Sequence, residues 1–463
     1  MTITQTNIEI SEELVRRFDS LGPRYTSYPT ADRFNAVFDE SHYIKYLENE
    51  TSSSVQPTLS IYVHLPFCAS ICYYCGCNKI ITKDHGRSAK YLRYLEKEMS
   101  LVASHLHGNR QVVQLHLGGG TPTFLSADEL RELMQMLRAH FNFAADAELG
   151  IEIDPRTVNP DMLTMLAELG FNRTSLGVQD FDPAVQQAVN RIQPYEMVEQ
   201  AITASREAGF LSVNFDLIYG LPKQNLDSFS KTLDDVIRLS PDRIALYNYA
   251  HLPSRFKPQR RIAESDLPSA EERLQIFLMS LRRLLDAGYV YIGLDHFAKP
   301  DDDLTKAQIS KTLHRNFQGY TTRAECDLIG LGLSSIGKVG SSYSQSVRTL
   351  DGYYERLDAG ELPIEKGFEL SSDDVLRRQI IMNFMCSEPI DFNAINRTYG
   401  IDFISYFSEE LTRLKQYQDA ELIKIDSSSI VVTPKGRMFV RAVGMVFDKY
   451  LQQTTTAQYS KLI

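Results

Sequence analysis

Leu59-Ser-Ile-Tyr-Val-His-Leu-Pro-Phe-Cys68-Ala-Ser-Ile-Cys72-Tyr-Tyr-Cys75-Gly-Cys77 carries two signals in one stretch. Its first half, residues 59–67, is a β-branched and aromatic run closed by a proline, the pattern of a buried strand. Its second half holds four of the chain's six cysteines. The spacing is C-x3-C-x2-C with one further cysteine, Cys77, two positions on. Such crowding is poor for a disulfide framework and good for a metal. Zinc sites usually divide four ligands between two separated pairs, and no second pair exists elsewhere in the chain. Three thiolates on one loop suit a cubane iron–sulfur cluster whose fourth iron stays open to an outside ligand. A zinc knuckle or plain buried thiols is the competing reading, and it would make the protein a structural module on an α/β scaffold.

Working outward, comparable runs recur at 112–117 (VVQLHL), 149–154 (LGIEID), 174–181 (TSLGVQDF), 212–220 (SVNFDLIYG) and 242–250 (DRIALYNYA). Each is short, apolar and closed by Gly, Pro or Asp, as buried parallel strands are. Helical patterns separate them. Residues 88–102 place Tyr91, Leu95, Met99 and Val102 on one face. Ser126-Ala-Asp-Glu129 is a capping box opening the next helix, and Ser269 behind Pro268 starts another that ends at Gly288. Repeated right-handed βαβ units follow, as a partial barrel or a doubly wound sheet. In either, function sits at the C-terminal ends of the strands.

The flanks differ in texture. Residues 1–57 read as an N-terminal extension or lid, 58–300 as the βα-repeat domain, 301–370 as a connecting, substrate-side segment, and 371–463 as a mainly helical domain with a winged-helix-like hairpin and a last helix at 435–451. That last segment carries 11 basic and 11 acidic residues. The 463-residue chain has a net charge of −10. Neither balance suits a partner bound by overall positive charge, so nucleic acid is excluded as one. No apolar run reaches the ~18 residues of a membrane span. The N-terminal residues have neither the basic nor the apolar region of a signal peptide. A cytoplasmic protein, monomeric, is expected.

Several polar residues fall at strand ends. Gly118-Gly-Gly-Thr121 offers backbone N–H groups and close approach to a ligand, though a tight turn explains it as well. Glu152 ends the third strand, where it could bind an amine or a diol, or pair with a cation. Gln179 ends the fourth strand, Arg191 follows it, Asp216 lies inside the fifth and Ala250 ends the sixth. Each is open between a structural network and a site; a buried Asp such as Asp216 needs a partner to stay charged. Asp154, before Pro155, reads as structural, and Cys326 and Cys386 as core thiols.

The cysteine spacing after the first strand resembles the radical S-adenosylmethionine superfamily. Neighbouring words narrow the resemblance: Tyr62-Val-His-Leu-Pro-Phe-Cys68, Cys75-Gly-Cys-Asn78, Gly118-Gly-Gly-Thr-Pro-Thr123, Gly177-Val-Gln-Asp-Phe181, Asp216-Leu-Ile-Tyr-Gly-Leu-Pro222, Asn248-Tyr-Ala-His-Leu-Pro253 and His314-Arg-Asn-Phe-Gln-Gly-Tyr320. Together they are similar to the oxygen-independent coproporphyrinogen III oxidases (dehydrogenases), from about Gly22 to the C-terminus. The resemblance implies an α/β fold, an open partial (β/α)6 TIM-like barrel with an N-terminal extension and a mainly helical C-terminal domain. It implies a radical S-adenosylmethionine oxidoreductase of haem biosynthesis: 5′-deoxyadenosyl radicals decarboxylate two propionates of coproporphyrinogen III to give protoporphyrinogen IX. Cys68, Cys72 and Cys75 would hold a [4Fe-4S] cluster. Tyr62, Tyr74, Gly119, Gly120, Thr121, Glu152, Gln179, Arg191, Asp216, Ala250 and Ile336 would line the space for S-adenosylmethionine, two molecules by stoichiometry. Cys77 and Tyr62 are the catalytic candidates, Cys77 without ligating iron. Four propionates ask for cations, and Arg24, His314 and Arg315 are the candidates. An electron donor and an electron acceptor are required. A haem-binding chaperone of the same superfamily is the rival; such relatives typically lack the extension and the second cysteine of Cys75-Gly-Cys77.

Overall fold

Short apolar runs broken by Gly, Pro and Asp and separated by amphipathic stretches can bury both faces of a sheet only by covering it with helices. A computed structural model describes residues 12–48, 57–323 and 326–451. They form two compact units: 34–48, 57–288 and 326–369 make the larger, and 12–33, 289–323 and 370–451 the smaller.

In the larger unit, β1 (Leu59–Leu65), β2 (Gln111–Gly119), β3 (Asn142–Ile153), β4 (Arg173–Gln179), β5 (Ser212–Tyr219) and β6 (Arg243–Asn248) lie side by side in chain order. Every neighbouring pair is parallel. The crossovers carry α1 (His85–His105), α2 (Ala127–His140), α3 (Pro160–Glu168), α4 (Tyr195–Glu207) and α5 (Leu226–Leu239), and α6 (Ala270–Asp286) follows β6. This is the α/β class expected, with the (βα)6 core of a partial barrel. The capping box that opens α2 forms in both directions, Ser126 Oγ accepting from Glu129 N–H and the Glu129 carboxylate from Ser126 N–H. Ile61 and Val63 of β1 are fully buried.

One part of this unit is not apparent from the sequence pattern. β7 (Asp327–Leu331) runs parallel on the other side of β1, and β8 (Ile336–Val339), β9 (Ser342–Ser346) and β10 (Ile364–Glu369) continue the sheet antiparallel. Runs such as Ser342-Tyr-Ser-Gln-Ser346 are too polar to announce a strand. β1 is therefore interior, which accounts for its near-continuous burial. The junction is tied by a buried ion pair: Arg110 donates to Asp327 and to the Pro57 carbonyl.

The smaller unit contains two short hairpins, Val290–Gly293 with His296–Ala298 and His314–Asn316 with Gly319–Thr321. Helices Ser372–Met385, Phe392–Tyr399 and Ser408–Asp419 accompany a three-stranded sheet ordered Ile390–Asp391, Ser429–Val432, Ile423–Ile425. The helix expected over 435–451 is instead a 3₁₀ turn, Lys435–Phe439, followed by the short helix Val440–Met445. Gly436 lies so close to the Leu422 carbonyl that a Cβ would stand 1.8 Å from its oxygen, so packing sets the local geometry here. Of the extension expected over 1–57, residues 1–11 and 49–56 lie outside the described residues. Residues 12–33 fold with the C-terminal segment, Tyr25 donating to Asp448 and Arg441 to the Gly22 and Pro23 carbonyls. Among the described residues no helix is long and apolar enough to cross a membrane.

Candidate active site

Pro66 ends β1 and turns the chain into the cysteine loop. Phe67–Cys68 pairs in parallel with Ile80–Ile81, closing the loop at its base. Loops after other core strands hold it from outside. Asn190 Nδ2 donates to the Ile71 carbonyl at 2.7 Å and Tyr73 N–H to the Val189 carbonyl at 2.9 Å. Gln259 Nε2 reaches both the Tyr74 carbonyl, 2.9 Å, and the Ala250 carbonyl, 3.2 Å. Tyr73 and Tyr74 pack against an apolar cluster that includes Val185, Val189, Leu221 and Tyr249. The loop is thus preorganised by the ends of β4 and β6.

Each thiol meets different donors. Thr121 Oγ1 donates to Cys68 Sγ at 3.3 Å. Arg191 Nη1 and Arg156 Nη2 lie 3.5 and 3.7 Å from Cys72 Sγ. Cys75 takes a hydrogen bond from the Cys77 thiol, which with Lys79 nearby holds its pKa below the usual thiol value. Burial pushes the Cys68 thiol up to about 11. Cys77 is exposed. Among the described residues no three His, Cys, Asp or Glu side chains gather as ligands of a single ion do. Three thiols on one loop, each with its own hydrogen-bond donors, fit a multi-iron cluster, which takes one thiolate per iron and is tuned by bonds to those sulfurs.

Beside the thiols, β2 ends in the glycine turn. Gly119 has φ +114°, and a Cβ there would stand 2.6 Å from the His64 ring; at Gly120 it would be 2.7 Å from the Pro66 carbonyl carbon. Only glycine lets the turn lie against the exit of β1. It is pinned there by Gly120 N–H to the Leu65 carbonyl, 2.8 Å, and Thr121 N–H to the Phe67 carbonyl, 2.9 Å.

Glu152, near the end of β3, accepts from Gly119 N–H at 3.2 Å and from His116 Nε2 at 3.2 Å. Burial opposes its ionisation, but the His116 hydrogen bond and charge and the Gly119 N–H outweigh it and hold the carboxyl below its usual value. His64 Nε2 lies 2.9 Å from the Asn78 carbonyl, which makes it the donor there; Nδ1 is then free to accept from Tyr62 O–H at 3.2 Å. Burial drives the His64 pKa down, so the ring is neutral. Asp216 on β5 accepts from Ser175 Oγ, 2.8 Å, and Asn214 Nδ2, 2.9 Å; burial raises it to about 6.

Arg191 is buried and donates to the Gly177 carbonyl, Gln193 Oε1 and Asp154 at 2.7–3.0 Å. Gln179 ends β4 with φ +66°, and Ile336 opens β8 beside Gly330. The larger unit therefore contains Tyr62, Tyr74, Gly119, Gly120, Thr121, Glu152, Gln179, Arg191, Asp216, Ala250, Ile336 and all four loop cysteines. Arg24, His314 and Arg315 belong to the smaller unit. There Arg24 is paired with Asp295 at 3.1 Å, and Arg315 lies over the Tyr320 ring at 4.9 Å with Nε and Nη1 buried and without a hydrogen-bond partner.

Four contributors escape the sequence reading. His64 and His116 sit inside runs read as strand; a polar residue in a buried strand was the available signal. Arg156 and Gln259 carried none.

Residues 62–236 match the model of the Radical SAM superfamily, and 370–439 that of the HemN C-terminal domain. The chain is 50% identical over 456 residues to the oxygen-independent coproporphyrinogen III oxidase of Pseudomonas aeruginosa, covering 97% of this chain and 98% of that one. It is 43% identical over 464 residues to the protein of the same name from Escherichia coli, covering 100% of both. The solved structure of the Escherichia coli coproporphyrinogen III oxidase, described as a radical SAM enzyme, superposes with a TM-score of 0.91 at 43% identity over 96% of this chain and 100% of that one.

Proposed function

Because the chain belongs to the oxygen-independent coproporphyrinogen III oxidases of the radical SAM superfamily, we propose that it converts two propionates of coproporphyrinogen III to vinyl groups, yielding protoporphyrinogen IX for haem synthesis. Each conversion removes one hydrogen atom from the propionate β-carbon, releases CO2 and passes one electron to an acceptor. The observation that carries the reading is the triad Cys68, Cys72 and Cys75, set at the end of β1 against the glycine turn of β2. When bound, the [4Fe-4S] cluster and S-adenosylmethionine supply one electron and a carbon-centred radical able to take that hydrogen atom.

The chain's own residues do the rest. Cys68, Cys72 and Cys75 would hold the cluster, and exposed Cys77 would stand beside it without serving as a ligand. The glycine turn lets backbone come close to a methionyl group, and the ionised Glu152 carboxylate suits its amine. Tyr62, Tyr74, Gln179, Arg191, Asp216, Ala250 and Ile336 complete the surface for S-adenosylmethionine, in two molecules. Neutral His64 fixes the Tyr62 hydroxyl, which keeps that ring oriented at the strand end. On the substrate, Arg315 is the best-supported cation. Its buried Nε and Nη1 lack a partner, and an unmet guanidinium donor is costly unless an anion meets it. Arg24, already paired with Asp295, and His314 serve more weakly. The protein works as a cytoplasmic monomer with a separate electron donor and acceptor.

The test is an anaerobic assay with coproporphyrinogen III, S-adenosylmethionine and a reductant. Protoporphyrinogen IX is expected, with two CO2 per product. Formation of 5′-deoxyadenosine without any decarboxylation of an intact substrate would refute the reading and favour a haem-binding role.

A further inference from the structure

Two guanidinium groups converge on one cysteine. Arg156 Nη2 lies 3.7 Å from Cys72 Sγ and Arg191 Nη1 lies 3.5 Å from it. Both are anchored by the same carboxylate. Asp154 accepts from Arg156 Nε at 3.0 Å and Nη2 at 2.7 Å, and from Arg191 Nη1 at 3.0 Å. The Asp154-Pro155-Arg156 turn makes this rigid, with Arg156 N–H also on Asp154 Oδ1 at 3.0 Å and Pro155 starting a 3₁₀ turn. The side chains of Asp154 and Arg191 are 8% exposed and that of Arg156 is 20% exposed. One carboxylate between two guanidiniums leaves a net positive charge beside a single thiolate, out of reach of most solvent screening.

We infer that Arg156 is a positioning residue for electron entry: held by Asp154, it donates to the Cys72 thiolate and raises the reduction potential of the cluster that thiolate would ligate. The inference rests on the proposed reading of Cys72 as an iron ligand. Reduction adds a negative charge to a group already surrounded by thiolates. A donor and positive charge at one sulfur stabilise the reduced state more than the oxidised one, so the potential rises. Arg191 has the same contact but is also bound to the Gly177 carbonyl and Gln193 at the exit of β4. Its removal would disturb that strand end. The side-chain hydrogen bonds of Arg156 go to Asp154 and Cys72, so its removal isolates the electrostatic effect. A merely structural role, tying the turn after β3, would leave the potential where it is.

The experiment is an EPR-monitored redox titration of anaerobically reconstituted full-length protein, without S-adenosylmethionine or substrate, using low-potential mediator dyes and dithionite. Unsubstituted protein is compared with Arg156→Met, Arg156→Gln and Arg156→Lys, each checked for iron and sulfide content. At the unsubstituted midpoint, Arg156→Met is expected to show an about tenfold lower ratio of reduced to oxidised cluster, a shift of ~59 mV to more negative potential for one electron. Arg156→Gln, which loses the charge, should fall between it and Arg156→Lys, which keeps the charge. An unchanged midpoint in Arg156→Met overturns the inference while leaving the proposed function standing. So does an equal shift in the Lys and Met variants. If Arg156→Met takes up no iron, an unchanged midpoint in Arg156→Gln has the same force. Failure of the unsubstituted protein to take up a cluster overturns both readings.

Discussion

Glu98 offers a quantitative prediction about how α1 supports the site. It is 2% exposed, and its carboxylate accepts from Gly332 N–H at 2.7 Å and Tyr353 O–H at 2.6 Å. Tyr91, on the same helix, accepts from Leu333 N–H and donates to the His64 carbonyl, each at 2.8 Å. Together they clamp the turn between β7 and β8, directly before Ile336. Among the described residues no cation offsets the charge: burial outweighs the two hydrogen bonds and raises the Glu98 pKa from 4.5 to about 7. The native state therefore binds more protons than the unfolded state between those values. Stability falls as pH rises through that window and levels off above it. At ~1.4 kcal/mol per unit of displacement, Glu98 ionisation should cost on the order of 2–3 kcal/mol between pH 5 and pH 8. Glu98→Gln keeps an acceptor for both bonds and removes the titration. Urea unfolding of both proteins, anaerobically and at pH 5, 6, 7 and 8, should show the variant gaining on the unsubstituted chain by that amount, most of it by pH 7. A difference that stays constant within about 0.5 kcal/mol over that range, against the roughly 2–3 kcal/mol expected from linkage, would sink the argument.

Two further outcomes follow from the same geometry. Single replacement of Cys68, Cys72 or Cys75 by Ala should abolish iron and sulfide uptake on reconstitution, whereas Cys77→Ala should keep both and lose decarboxylation; iron analysis and the anaerobic assay separate the two classes. Arg110→Met strands the buried Asp327 charge at the β1–β7 junction and should cost ~3–5 kcal/mol in denaturant unfolding, with Arg110→Met/Asp327→Leu recovering most of the loss.

What could be read before folding was what local chemistry decides. The parallel core was legible because each of its strands contains a short apolar run and helical patterns lie between several of them; Ser126 and Glu129 even marked a helix start to the residue. The strands β8–β10 were not legible, because edge and antiparallel strands carry polar residues such as Ser342, Ser344 and Gln345 that read as loop. The end of the chain misled for a different reason. A good helical pattern over 435–451 yields to the contact of Gly436 with Leu422, and tertiary packing overrides propensity.

The sequence by itself determined the chemistry of the site: C-x3-C-x2-C places three thiols on one loop, and a loop following a buried parallel strand places them at the C-terminal ends of the strands, where ligands bind. These are properties of neighbouring residues, written in spacing and residue type. Only the tertiary structure decided what tunes those thiols. Arg156 and Arg191 reach Cys72 across 84 and 119 positions of chain, Gln259 holds Tyr74 across 185, and Glu98 holds Gly332 across 234. Such contacts depend on which strands become neighbours and in what register. Hydrogen bonds between distant side chains leave no periodicity in the sequence, so they appear only once the sheet has formed.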